Sequence, residues 1–127
     1  MLINEILHIT TRNQWTAAKR AGAYRGDTLD SEGFIHCSTR YQVIAVADAR
    51  FAGRSGLVLL DIDPDQVHAE IRYEAAANGE LYPHIYGPLN PDAVRAVLPL
   101  KPGRDGHFRL PRQLTEAVPQ TDEGTNA

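Results

Sequence analysis

Leu57-Val58-Leu59-Leu60-Asp61-Ile62 is the stretch that decides the fold. Four successive apolar residues present apolar groups to both faces of an extended chain, which predicts a fully buried strand at the centre of a sheet. Upstream of it, Ile44, Ala47 and Phe51 fall at i, i+3 and i+7 and predict a helix from about Thr39 to Phe51, closed by Ala52-Gly53. Phe34-Ile35-His36-Cys37 before that helix reads as a short strand, and residues 22–33, GAYRGDTLDSEG, as a glycine-rich loop. The β-formers of Ile3 to Ile9 predict a first strand. Thr11 with Gln14 forms a capping-box pattern that opens a helix over about 11–21, stopped at Gly22.

Downstream, Asp63-Pro64-Asp65 opens a turn, Ile71 to Glu74 is a weak strand, and Asn78-Gly79 marks a turn in the connector 75–80. Leu81 to Pro88 is extended but interrupted by prolines, which predicts an edge strand or an ordered loop. Asn90 to Ala93 reads as a helical turn and Ala93 to Leu100 as the last strand. Residues 111–127 are polar and poor in large apolar groups, which predicts a flexible C-terminal tail behind a single globular domain over 1–110. The elements do not alternate regularly, so the expected class is α+β: two main helices and a bent or split sheet, mixed or mostly antiparallel. No GxGxxG follows the first strand, which disfavours a doubly wound dinucleotide fold.

At 127 residues and 14.0 kDa the chain is sized for one domain, and 43% hydrophobic content supplies a core. The 13 Lys+Arg against 16 Asp+Glu leave a net charge of −3, so no extended nucleic-acid surface is expected. All the cations except Lys19 and Lys101 are arginines, which leaves room for a local basic pocket. A single cysteine rules out an intramolecular disulfide framework and points to a reducing compartment. No apolar run reaches the ~20 residues of a membrane span and MLINEILHIT lacks a basic n-region, so no membrane association and a cytoplasmic location are expected.

The sharpest internal signal is a repeat. His8-Ile9-Thr10-Thr11-Arg12-Asn13-Gln14 returns as His36-Cys37-Ser38-Thr39-Arg40-Tyr41-Gln42, the pattern H-x-[ST]-T-R-x-Q, each time at a strand-to-helix junction. Free N–H groups at such helix starts attract anions, which suits a phosphate; equally, T-x-x-Q is what helix starts need for their own capping. A third cluster follows in Glu80-Leu81-Tyr82-Pro83-His84-Ile85-Tyr86, where period-two alternation puts Tyr82, His84 and Tyr86 on one face. That wall suits a planar heterocycle, or is half-buried packing. Cys37 points to the face opposite His36 and reads as a buried structural thiol rather than a nucleophile. His8, His36 and His84, with Glu80, form an alternative metal set, although their spacings fit no compact zinc motif. His68 and His107 read as solvated.

ILHIT with Trp15, then Gly22-Ala23-Tyr24, EGFIHCST, LVLLDID and GELYPHIYGPLNPDAV together resemble the small bacterial proteins grouped as domain of unknown function 952, over roughly residues 4–100. At greater distance the chain resembles the ADP-ribosyltransferase-like fold, which binds NAD in the cleft of a split, bent sheet. That resemblance implies His8 and Thr10 at the first site position and His36 and Ser38 at the second. The third, often a polarising Glu, falls on Glu80 or His84. Tyr24, Tyr82 and Tyr86 join Thr10 and Ser38 as implied contacts to the ligand. The implied activity is binding of NAD or a related nucleotide as substrate, with cleavage or transfer of ADP-ribose, or 2′-phosphate transfer, to an acceptor that the residues do not specify. The rival is a non-catalytic module that binds a small ligand or partner in the same His-lined cleft.

Overall fold

The structure is a computed structural model that describes residues 5–116. β1 (Ile6–Thr11), β3 (Leu57–Ile62) and β6 (Val94–Leu100) form one antiparallel sheet in the order β1-β3-β6. β3 is central, as its apolar run requires, and only Asp61 of its six residues escapes burial. Its side chains serve two cores in alternation. Val58, Leu60 and Ile62 pack with Ile6, Trp15, Ile35 and Ile85, whereas Leu57 and Leu59 pack with Leu7, Ile9, Val43, Leu100 and Phe108. The same parity on β1 puts His8 and Thr10 on the face of Ile6, the side on which the second sheet packs.

That second sheet is also antiparallel, in the order β2-β5-β4, from β2 (Ile35–His36), β4 (Glu70–Ala75) and β5 (Leu81–Tyr86). The expected bent or split sheet is therefore two separate three-stranded antiparallel sheets, with no parallel pair among the described residues. They meet where Leu7 N–H donates to Ser38 O and Ser38 N–H donates to Leu7 O, each at 2.8 Å. β5 is central, not the edge strand or loop that its prolines suggested. Pro83 is tolerated because β2 leaves at this level. Cys37 N–H donates to Pro83 O at 3.0 Å, but the reciprocal bond is impossible without a proline N–H, and the ladder stops at His36 opposite His84.

α1 (Arg12–Ala21) forms as its capping box predicts: Gln14 N–H donates to Thr11 Oγ1 at 3.0 Å, and Gly22 closes the helix at φ 82°. The second copy behaves differently. The regular helix α3 spans Val43–Arg50, four residues later than expected. Gln42 Oε1 still accepts the Thr39 N–H at 3.0 Å, but no Thr39 hydroxyl cap forms: the Gln42 N–H donates to the Thr39 carbonyl at 3.1 Å, while the Gln42 side-chain amide reaches across to Leu81 O (2.9 Å) and Glu80 (3.1 Å). The loop 22–33 contains one short helix, α2 (Leu29–Glu32).

The polar C-terminal segment also begins in order, contrary to a flexible tail from residue 111: α4 (Arg112–Glu116) buries Leu114. The rest of that expected tail, residues 117–127, lies outside the described residues. Arg40 fixes this end of the chain. Its guanidinium makes two bonds to the Glu5 carboxylate, at 2.7 and 2.8 Å, and a third to Leu114 O at 2.6 Å, with both charged side chains almost fully buried. Leaving Glu5 without its cation strands a buried charge, so Arg40→Ala should cost about 3–5 kcal/mol in urea unfolding. In the same assay Thr11→Ala should cost about 1 kcal/mol and Thr39→Ala should be close to neutral, since only the first hydroxyl caps a helix.

Candidate functional site

A cleft of about 850 Å³ is lined by β1, by β2 with β5, by α3 and by the loops at 24–28 and 76–78. Of the residues expected at a site, it brings together His8, Tyr24, His36, Ser38, Tyr82 and His84. Thr10, Glu80 and Tyr86 do not line it. Thr10 is buried and donates to Gln14 Oε1 at 2.9 Å; Glu80 is exposed and held by Gln42; Tyr86 turns its hydroxyl to Glu74.

His8 has both ring nitrogens engaged. Nδ1 lies 2.5 Å from His36 O and Nε2 lies 2.6 Å from the Tyr24 hydroxyl. A carbonyl only accepts, so Nδ1 carries the proton and Nε2 accepts from Tyr24. Burial pulls the His8 pKa from 6.5 down to about 4, outweighing its bond to the His36 carbonyl, and raises that of Tyr24 to about 12. The pair is thus neutral at physiological pH. His8 is a fixed buttress under Tyr24 rather than a free base. Cys37 is buried, and desolvation pushes its thiol pKa up, as a structural thiol requires.

The second sheet supplies the opposite wall. Alternation gives it an apolar face, with Ile35, Ile71 and Ile85 on the core, and a polar face carrying His36, Arg72, Glu74, Tyr82, His84 and Tyr86. His36 and His84 are directly paired across β2 and β5, with ring centroids 5.2 Å apart. Each imidazole meets a carboxylate: His36 Nε2 is 3.0 Å from Glu32, and His84 Nδ1 is 2.8 Å from Glu74. Phe34 stacks on His84 at 4.0 Å. Glu32, Phe34 and Glu74 are the residues that sequence reasoning missed. Phe34 shares the parity of His36, and Glu74 that of Glu70 and Arg72 in β4, but the pairing of β4 with β5 is needed to see whom Glu74 meets.

The alternative metal set does not assemble. Among the described residues no three His, Cys, Asp or Glu side chains converge to hold an ion, and Glu80 stands outside the cleft.

A family model described as a protein of unknown function, DUF952, matches residues 9–97. The chain belongs to the DUF952 family. This DUF952 protein is similar to the crystal structure of protein CC0527 from Caulobacter crescentus, at 33% identity and a TM-score of 0.80, covering 87% of this chain and 98% of that one. The solution NMR structure of CC0527 gives 31% identity and a TM-score of 0.74, over 91% and 98%. No curated protein matches it. Among the described residues of this DUF952 chain no helix is long and apolar enough to cross a membrane.

The locked His8 has a measurable signature. Below pH 6.5 the unfolded chain takes up a proton at His8 that the folded chain refuses until about pH 4, so stability declines as pH falls through that window. Between pH 7 and pH 5 the wild type should lose about 2 kcal/mol relative to His8→Gln in denaturant titrations. Parallel declines in the two proteins would assign the slope to other groups.

Proposed function

We propose that the cleft binds NAD or a related nucleotide and supports cleavage or transfer at the nicotinamide–ribose bond, in an ADP-ribosyltransferase-like arrangement. One observation carries this reading: the free edge of β1 opens into the cleft beneath the His36 and His84 wall. Leu7 turns its peptide groups outward to Ser38, so antiparallel alternation turns those of Ile9, two residues on, outward as well. Ile9 lines the cleft, and among the described residues none continues the pairing there. An adjacent outward N–H and C=O match a carboxamide, which offers one acceptor and donors of its own.

His36, His84 and Tyr82 then flank the heterocycle and ribose. Arg50, at the rim and without an ion pair among the described residues, is available to a phosphate. Cleavage would pass through an oxocarbenium-like state whose charge enclosed polar groups stabilise. His84, not Glu80, takes the third position, because His84 lines the cleft and Glu80 does not.

The rival, a binding module without turnover, draws support from that same absence of Glu80 from the cleft. Ligand-detected NMR with NAD, ADP-ribose and nicotinamide tests both. NAD should bind at sub-millimolar concentration, His84→Ala should weaken it about tenfold through loss of the wall, and Glu80→Gln should bind like wild type. No NAD signal at millimolar concentration defeats the nucleotide reading; binding with no release of nicotinamide leaves the module.

A further inference from the structure

We propose that Glu74 and His84 act as a general-base dyad, with Glu74 orienting the imidazole and His84 Nε2 taking the proton of the attacking water or acceptor hydroxyl. The proposal rests on the nucleotide reading above and assigns it a base. Glu74 accepts from His84 Nδ1 at 2.8 Å, which places the proton of a neutral imidazole on Nδ1 and leaves the Nε2 lone pair available. His84 lines the cleft and Glu74 does not, and the proposal takes the unengaged Nε2 as the nitrogen that meets the reactant there. No hydrogen bond engages Nε2 among the described residues.

The imidazole is held in plane from several sides. Phe34 stacks on it at 4.0 Å with 19° between the rings, and His36 approaches edge-on at 5.2 Å. Glu74 is itself fixed by the Tyr86 hydroxyl, which donates to the same Oε1 at 2.5 Å. These bonds, the one from Tyr86 first, hold the Glu74 carboxyl below the usual carboxylate range, so it stays an acceptor. The remaining charged neighbours are Arg72, the cross-strand partner of His84, which lies over the Tyr86 ring at 4.3 Å and pairs with Glu70, and Glu32, which pairs with His36. This contrasts with His8, whose two nitrogens are both consumed.

In the step itself, the water oxygen forms a bond to C1′ of the nicotinamide ribose as the C1′–N bond breaks. The bonding pair returns to the pyridinium nitrogen, nicotinamide leaves neutral, and His84 Nε2 accepts the water proton, to be released to solvent afterwards. The products are ADP-ribose, nicotinamide and one proton, and no further reactant is required.

The full-length protein is assayed for NAD binding and for nicotinamide release, and the His84 tautomer is read by ¹⁵N NMR of the imidazole. We expect the Nδ1–H tautomer in the wild type. Glu74→Gln, verified by thermal melting, should lower kcat about 100-fold with KM for NAD within about threefold, and His84→Gln should lower kcat about as far while weakening NAD about tenfold through loss of the ring. An Nε2–H tautomer, or a kcat that survives Glu74→Gln, overturns the dyad while NAD binding stands. Binding by the wild type without nicotinamide release overturns it too, and absence of NAD binding removes the dyad together with the nucleotide reading.

Discussion

The reciprocal backbone bonds between Leu7 and Ser38 are the constraint on which the rest of the molecule depends. Each sheet has three strands, and the second, apolar on one face alone, is not self-sufficient: its Ile35 and Ile85 complete a core with Ile6, Val58 and Leu60 of the first. The backbone joint is a single bridged pair rather than a ladder, so beyond it the sheets are held together by side chains. The residues that flank the joint, His8 on one strand and His36 and Cys37 on the other, line the cleft beside this apex. The bond from His8 to the His36 carbonyl braces that apex with a side chain, and Tyr24 braces His8 in turn. Burial that suppresses the charge of His8 also keeps this brace from switching near neutral pH.

A division of labour among like residues follows. Of three histidines gathered in one cleft, one is structural because both nitrogens are spent, and two are paired with carboxylates on a face that never enters the core. Residue type alone does not separate these roles. The partner of each nitrogen does: Glu32 stands 4 residues from His36, Glu74 10 from His84 and Tyr24 16 from His8.

Legibility from the sequence followed the range of the interaction concerned. β3 was readable because four apolar residues in a row admit no solvent-facing side, and α1 because Thr11 caps a site three residues away. The repeat shows where local reading fails. Thr39 and Gln42 carry the same letters as Thr11 and Gln14, but Gln42 answers to β5, more than thirty residues on, and the hydroxyl cap is lost. Leu114 fell within the segment expected to be a flexible tail, yet it is buried and its carbonyl accepts from Arg40. In the site, His8, His36 and His84 were identifiable as a set, and the period-two wall correctly grouped Tyr82, His84 and Tyr86 on one face. Glu74 was not identifiable, since its role is defined by cross-strand register, which a weak strand does not announce.

Pro83 also bears on how one short segment serves both sheets. Cys37 turns its N–H to Pro83 O at 3.0 Å, while its own carbonyl faces a position that can offer no donor in return. Alternation turns the peptide groups of Ser38 the other way, to Leu7, with which it exchanges both bonds. Within two residues the chain thus passes from the last rung of one sheet to the first rung of the other, and neither strand has to give up a bond to the other's partner.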